Sequence, residues 1–101
     1  MSAGIAGLTP QQIYDCQKSE LRDAIKRVLS KEFPLDFDVQ SIARMMHNLS
    51  GTSTYFNDDH VGTCAASLQY PLRATQDANE IKGLCAQMLD VLDRDLNDSA
   101  K

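Results

Sequence analysis

The sequence predicts an all-α protein, an antiparallel four-helix bundle, from three observations. The chain has 101 residues, 43% of them hydrophobic and 24% charged, which is typical of one soluble globular domain. Apolar residues recur at helical spacing in four segments, and no stretch alternates as a half-buried strand does. The links between the segments are short, so antiparallel packing buries all four apolar stripes at once.

The first segment extends from about Thr9 to about Lys31. Thr9 suits the N-cap, Pro10 suits the first helical position, and Gln12 stands where a capping box requires it. The predicted apolar stripe consists of Ile13, Cys16, Leu21, Ala24, Ile25, Val28 and Leu29. Residues 1–8 are predicted to form a short flexible tail, and residues 9–101 a single domain.

The second segment follows a break at Pro34, which disfavours helix in the residue before it. Asp36 or Asp38 can cap this helix, which extends to about Tyr55. Its predicted apolar stripe consists of Val39, Ile42, Ala43, Met46 and Leu49.

The third and fourth segments follow polar turns. Asn57 tolerates the left-handed conformation that ends many helices, and Asp58 can cap the next one. Pro71 lies inside the third segment, where it either kinks the helix or ends it near Gln69. The fourth segment starts near Gln76 or Asp77. The two predicted stripes are Val61, Cys64, Ala65, Leu68 and Leu72, and Ile81, Leu84, Cys85, Met88, Leu89, Leu92 and Leu96.

Charge and hydropathy exclude several kinds of partner. The net charge is −4, from 10 basic and 14 acidic residues, with no basic stripe, so we expect no nucleic-acid partner. No apolar run reaches the roughly 18 residues of a membrane span, and the N-terminus lacks the basic and apolar regions of a secretory signal. We therefore expect a cytoplasmic protein without membrane insertion.

The cysteines and the second histidine do not predict a metal site. Cys16, Cys64 and Cys85 match no metal-binding spacing. Each stands at or beside an apolar helical position, which favours small buried side chains in a reducing cytosol. His60, in the run "NDDH", lacks further ligands at fixed spacing, so we expect a surface histidine there. We expect no metal and no cofactor in this chain.

The other histidine, His47, lies on the second helix beside an unusual glycine. It falls roughly 120° from the centre of the apolar stripe, so we expect it to be partly exposed. Side chains at i+3 and i+4 cover the preceding turn of a helix, and here they are Ser50 and Gly51, both small. A mid-helix glycine costs about 1 kcal/mol relative to alanine. Either the glycine keeps the ring open to a large partner, or Gly51 merely ends the helix and His47 is a solvated surface residue.

The segment "HNLSGTSTYFNDDHVGTCAASLQ", residues 47–69, resembles the signature of histidine-containing phosphotransfer (Hpt) domains. It covers about a quarter of the chain, and the predicted four-helix, Hpt-like bundle extends the likeness over nearly all of it. The matching residues are His47, Leu49, Gly51, Thr52, Ser53 and Phe56, with Asn57 at the family's turn glycine and Gln69 at a glutamine that several members carry.

The resemblance implies that His47 is a phosphoacceptor that attacks an aspartyl phosphate through a neutral ring nitrogen. The supporting residues it implies, for clearance, hydrogen bonding and positive charge, are Gly51, Gln69, Ser50, Thr52 and Arg44. Met45, Met46 and Phe56 are candidates for part of an apolar docking rim, with burial in the core as the alternative for the two methionines. The implied partners are the receiver domains of a hybrid sensor histidine kinase and of a response regulator, and Mg²⁺ is expected only in the receiver.

One position departs from the family pattern. The family usually has a lysine three residues after the histidine, where this chain has Ser50. The departure implies slower transfer, a substitute cation such as Arg44 or Arg73, or a degenerate domain that docks a receiver or kinase without phosphotransfer. An unrelated helical adaptor is the remaining alternative. No nucleophile–base pair can be assembled from the sequence, so we expect a phosphotransfer intermediate rather than a free-standing enzyme.

Overall fold

A computed structural model describes the backbone of residues 9–31 and 36–99, and these residues form four α-helices. The helices are α1 (Pro10–Leu29), α2 (Asp36–Tyr55), α3 (Asp59–Ala74) and α4 (Ala78–Ser99). Helices α1 and α3 each pack against both α2 and α4, and the described residues contain no strand. The predicted all-α four-helix bundle is confirmed, while the predicted tail, residues 1–8, lies outside the described residues.

The start of α1 has the predicted cap. Thr9 Oγ1 accepts a hydrogen bond from the Gln12 amide at 3.1 Å, and Gln12 Oε1 accepts one from the Thr9 amide at 2.9 Å. Pro10 occupies the first turn, where its missing N–H leaves no bond unmade. The reciprocal pair satisfies two of the backbone donors that every helix N-terminus leaves unpaired.

The turn between α2 and α3 is built on Asn57, which has a φ of 56°. The Asp58 amide donates to the Ser53 carbonyl at 2.9 Å and the Asn57 amide to the Thr54 carbonyl at 3.2 Å, the paired bonds of a Schellman motif. The predicted left-handed role of Asn57 is confirmed. Asp58 is the N-cap residue of α3, but its side chain makes no cap hydrogen bond; it accepts one from Tyr14 Oη instead, at 2.7 Å.

The hydrophobic core lies between the four helices and matches most of the predicted stripes. It is completely closed at positions such as Leu21, Ile25, Ala43, Met46, Val61, Ala65, Leu72, Cys85, Met88 and Leu92, each of them 0% exposed. The prediction was wrong in the first half of α1. Ile13 is 43% exposed and Cys16 is also exposed, whereas Tyr14 and Lys18 are buried. The buried positions of α1 there are therefore shifted by one to two residues towards the C-terminus from the predicted stripe.

Helix α3 continues through Pro71 to Ala74, so Pro71 does not end it near Gln69. Proline removes the amide that would have bonded the carbonyl of Ser67, and Ser67 is an exposed residue. The Thr75 amide then donates to the Pro71 carbonyl at 3.0 Å. Helix α4 starts after Asp77, whose Oδ1 accepts a hydrogen bond from the Asn79 amide at 2.9 Å. Within the described chain, none of the helices combines the length and apolar character that crossing a membrane requires.

Candidate functional site around His47

His47 lies on the solvent side of α2. Its neighbours Met46 and Leu49 are 0% and 1% exposed, and the burial of these two side chains fixes the rotation of the helix. His47 itself is exposed. The predicted accessibility of the ring is therefore confirmed, and the imidazole can be reached from solvent.

Gly51 leaves the space next to His47 open. A Cβ atom built on Gly51 would meet no heavy atom within 4 Å, and α2 continues for another turn to Tyr55. The alternative that Gly51 ends the helix is therefore wrong. A larger side chain at position 51 would lean back over the preceding turn, towards His47. Glycine has no side chain there, so the ring is not covered from this position.

The hydroxyl groups that follow His47 donate to their own helix. Ser50 Oγ donates to the His47 carbonyl at 2.7 Å, and Thr52 Oγ1 donates to the Asn48 carbonyl at 3.0 Å. The Ser50 carbonyl accepts from both Ser53 Oγ at 2.9 Å and Thr54 Oγ1 at 3.1 Å. Their protons point at backbone carbonyls, so in this conformation these side chains present lone pairs rather than donors to a ligand at the ring.

A groove of about 440 Å³ extends from Gly51 along the junction of α2 and α3. It is lined by Ser50, Gly51, Ser53, Thr54, Asp59, Gly62, Thr63 and Ala66. The helices approach closely at Gly62: an ideal Cβ there would overlap Ser53 Oγ and lie 3.3 Å from Ser53 Cβ. Gly62 was missed by sequence reasoning, although a helical glycine without a capping role was a usable signal.

Gln69 lies on α3 and is 4% exposed. Among the described side chains, no hydrogen bond joins Gln69 to the ring of His47, so its predicted role in holding the ring stays a prediction. Met46 is fully buried in the core, as its place in the predicted apolar stripe indicated, so it is not part of a docking rim. Met45 and Phe56 are partly buried against the core, and Phe56 stacks on Tyr14 with ring centroids 4.7 Å apart.

Two arginines lie on the two helices that border the groove. Arg44 precedes His47 by three residues on α2, and Arg73 lies in the last turn of α3. Both are exposed, and neither forms an ion pair with another residue that the structure describes. His60 is exposed at the start of α3, as predicted. The described residues bring no three potential metal ligands together.

The cysteines are free thiols in three different environments. Cys16 is exposed, Cys64 half-buried and Cys85 buried, so the prediction of burial was wrong for Cys16. Burial raises the pKa of Cys64 above the ordinary thiol value and raises the pKa of Cys85 to about 11. Burial thus disfavours the reactive thiolate form at these two positions.

A polar cluster joins the ends of three helices and was not predicted. Lys18 is 2% exposed, forms a short ion pair with Asp95 of α4, and lies 3.4 Å from Asp15. Its Nζ lies 4.4 Å from the centroid of the Tyr14 ring, within cation–π range. Burial, the hydrogen bond to Asp58 and nearby carboxylates all raise the pKa of Tyr14. The cluster fastens α1 to both α4 and the turn that ends the His47 helix.

Comparison with known proteins adds no assignment, because no protein-family model, curated protein or solved structure matches this chain. The interpretation of the site therefore rests on the geometry around His47 and on the residue pattern of 47–69.

Proposed function

We propose that this protein carries a phosphoryl group between receiver-domain aspartates, as a phosphohistidine at His47. The observation that carries the proposal is the exposed imidazole on α2 next to Gly51, whose side-chain position opens onto empty space. The proposal places both partners in the cytoplasm: a hybrid sensor kinase whose receiver donates the group, and a response regulator whose receiver accepts it.

The proposed chemistry needs few groups from this chain. A neutral ring nitrogen of His47 attacks the phosphorus of the receiver's aspartyl phosphate in line, a P–N bond forms, and the P–O bond to aspartate breaks. The bonding electron pair returns to the aspartate as a carboxylate, and the attacking nitrogen carries no proton that must first be removed. Phosphoryl transfer depends mainly on positioning and charge neutralisation, and the receiver supplies Mg²⁺ from its own pocket.

A second candidate, a module that binds a receiver or kinase without accepting phosphate, is favoured by Ser50. At this position the Hpt pattern has a lysine, whereas the Ser50 hydroxyl donates to the His47 carbonyl at 2.7 Å. The cation that would neutralise the phosphoryl group is therefore missing from the turn that follows the histidine.

The test is incubation with a panel of receiver domains carrying labelled aspartyl phosphate, followed by measurement of label that is acid-labile and stable to base. We expect the wild-type protein to be labelled and the His47→Gln variant to carry no label. His60→Gln is the matched control, because it removes the other exposed histidine and should keep the label. Equal labelling of wild type and His47→Gln would refute the proposal, and receiver binding without label at long times would favour the binding module.

A further inference from the structure

Charge is distributed unevenly along the sequence of the bundle. Residues 39–57 and 60–76, which contain most of α2 and α3, hold two of the 10 basic residues and none of the 14 acidic ones. Their formal charge is therefore +2, and the rest of the chain, with eight basic and 14 acidic residues, carries −6. The acidic residues of these two helices, Asp36, Asp38 and Asp59, lie at or near the helix N-termini, so positive charge is confined to the part of α2 and α3 that carries His47.

The two positive charges lie on the side of α2 and α3 that contains the groove. Arg44 precedes the groove residue Gly51 by seven positions, and Arg73 follows the groove residue Ala66 by seven. Seven residues are close to two helical turns, so each arginine shares a helical side with a residue of the groove. His47 in turn precedes Thr54, which also lines the groove, by seven positions.

The close contact between Gly62 and Ser53 sets the register of the two antiparallel helices. With a rise of 1.5 Å per residue along the helix axes, His47 lies about 9 Å from that contact, Arg44 about 14 Å and Arg73 about 16 Å, all in one direction. Asp59, which also lines the groove, lies in the opposite direction. The two ends of this surface therefore differ in charge. Both guanidinium groups lie beyond His47 at one end, and the carboxylate of Asp59 lies at the other.

The two guanidinium groups have no carboxylate in direct contact within the described part of the chain. Neither arginine has an ion-pair partner there, and the nearest carboxylate in sequence after Arg73, that of Asp77, accepts a hydrogen bond from the Asn79 amide at 2.9 Å. Since the hydroxyls of Ser50 and Thr52 donate inward, the two arginines are the groups on this surface that can meet an anion with a positive charge.

We propose that Arg44 and Arg73 form a two-helix cationic clamp that docks a carboxylate-lined protein surface over His47. The inference rests on the proposed function, in which that surface is the acidic pocket of a receiver domain. The clamp provides the positive charge that the lysine of the Hpt pattern would provide at the position of Ser50. Asp59 repels the same carboxylates, so the clamp also fixes the direction in which the partner lies along the groove. Charges of this kind act mainly on association rate and salt dependence.

The experiment measures affinity rather than label, using a panel of receiver domains loaded with Mg²⁺ and beryllofluoride, a mimic of the aspartyl phosphate. Arg44→Gln and Arg73→Gln are each expected to weaken binding about threefold to fivefold at 0.1 M salt. The difference should shrink at 1 M salt, where the Debye length falls from about 10 Å to about 3 Å. Arg94→Gln is the matched control: Arg94 is an exposed residue on α4, 71% accessible and paired with Asp90, and its loss should leave affinity unchanged.

Equal weakening by Arg94→Gln, no weakening by either clamp variant, or no binding by any receiver would each overturn the clamp. Circular dichroism of every variant verifies that the helices are intact. The His47→Gln variant separates the two proposals, because it keeps the clamp. Binding that depends on the arginines but gives no label would refute phosphotransfer alone. Labelling by a receiver whose affinity is unchanged in both arginine variants would refute the clamp alone.

Discussion

Gly51 and Gly62 both lie inside helices, but an added methyl group meets a different environment at each. At Gly51 the new Cβ would contact nothing within 4 Å, whereas at Gly62 it would overlap Ser53 Oγ. Ser53 is 1% exposed, and its hydroxyl is bonded to the Ser50 carbonyl at 2.9 Å, so it cannot swing aside without losing that bond. The Gly51→Ala and Gly62→Ala variants therefore test the close approach of α2 and α3.

The expected magnitudes follow from two opposing terms. Replacing a helical glycine by alanine stabilises a helix by about 1 kcal/mol, and at Gly51 nothing opposes this gain. At Gly62 the gain is offset by overpacking, which costs about 1–3 kcal/mol in a filled interior. The free energies of unfolding of the two variants should differ by about 1–3 kcal/mol, and the melting temperature should rise by about 4 °C or more for Gly51→Ala.

Urea denaturation followed by circular dichroism measures both changes, with Gly83→Ala as the control because its Cβ also meets no atom within 4 Å. A Ser53→Ala background removes the overlapping oxygen but leaves the Cβ at 3.3 Å. Gly62→Ala should therefore be less costly in that background, with a coupling of about 1 kcal/mol. Equal stabilisation at Gly51 and Gly62, or the absence of coupling to Ser53, would refute the close approach.

Three further predictions concern charge and ionisation. Ser50→Lys should raise the rate of phosphotransfer about fivefold, since a unit charge about 4 Å away in water contributes about 1 kcal/mol; Asn48→Lys adds the same charge in another direction, and an equal rise there would contradict the reasoning. Above pH 10, the ordinary pKa of tyrosine, wild-type stability should fall by up to about 1.4 kcal/mol per pH unit, because Tyr14 ionises when unfolded and stays protonated when folded. Urea midpoints of the Tyr14→Phe variant should lack that component, and an identical pH profile would contradict it. Iodoacetamide at pH 8 should modify Cys16 first and Cys85 last, since Cys85 is buried with a pKa of about 11; equal rates by mass spectrometry would contradict the assigned burial.

Local signals in the sequence predicted the ends of the helices well. The capping box at Thr9 and the left-handed turn at Asn57 depend on residues within a few positions of each other, and both are present as predicted. The outcome at Pro71 could not be predicted in the same way. Whether a proline ends a helix depends on how the unpaired carbonyl and the proline ring are accommodated, and this is decided by tertiary packing.

The buried face of α1 shows why a hydrophobic pattern can mislead. Tyr14, Lys18, Leu21, Ile25 and Val28 follow the four-three spacing of a buried helical stripe, and all five are buried. The lysine obscured that spacing, because a charged residue in a stripe is ordinarily taken as exposed. Lys18 is accommodated by its ion pair with Asp95, a contact across 77 positions of the chain that local pattern reasoning cannot identify.

At the candidate site, the sequence predicted which side chains are exposed but not what they contact. Helical periodicity correctly placed His47 on the solvent side of α2. The hydrogen bonds of Ser50 and Thr52 to their own backbone depend on rotamers that spacing does not determine. The register of α2 against α3, which positions the groove and the two arginines, depends on the contact of Gly62 with Ser53 and became visible only in three dimensions.

The connections of Tyr14 and Lys18 give the first helix a role in the assembly of the whole bundle. Through these two side chains, α1 is joined to the loop after the histidine-bearing helix and to the far end of the chain's last helix. A fragment consisting of α2, α3 and α4 alone would keep every residue of the groove, yet Asp58 would lose its tyrosine donor and Asp95 its lysine. Dividing this protein into the hairpin of α2 and α3, which carries His47, and the pair of α1 and α4 would therefore break a contact that joins the two parts.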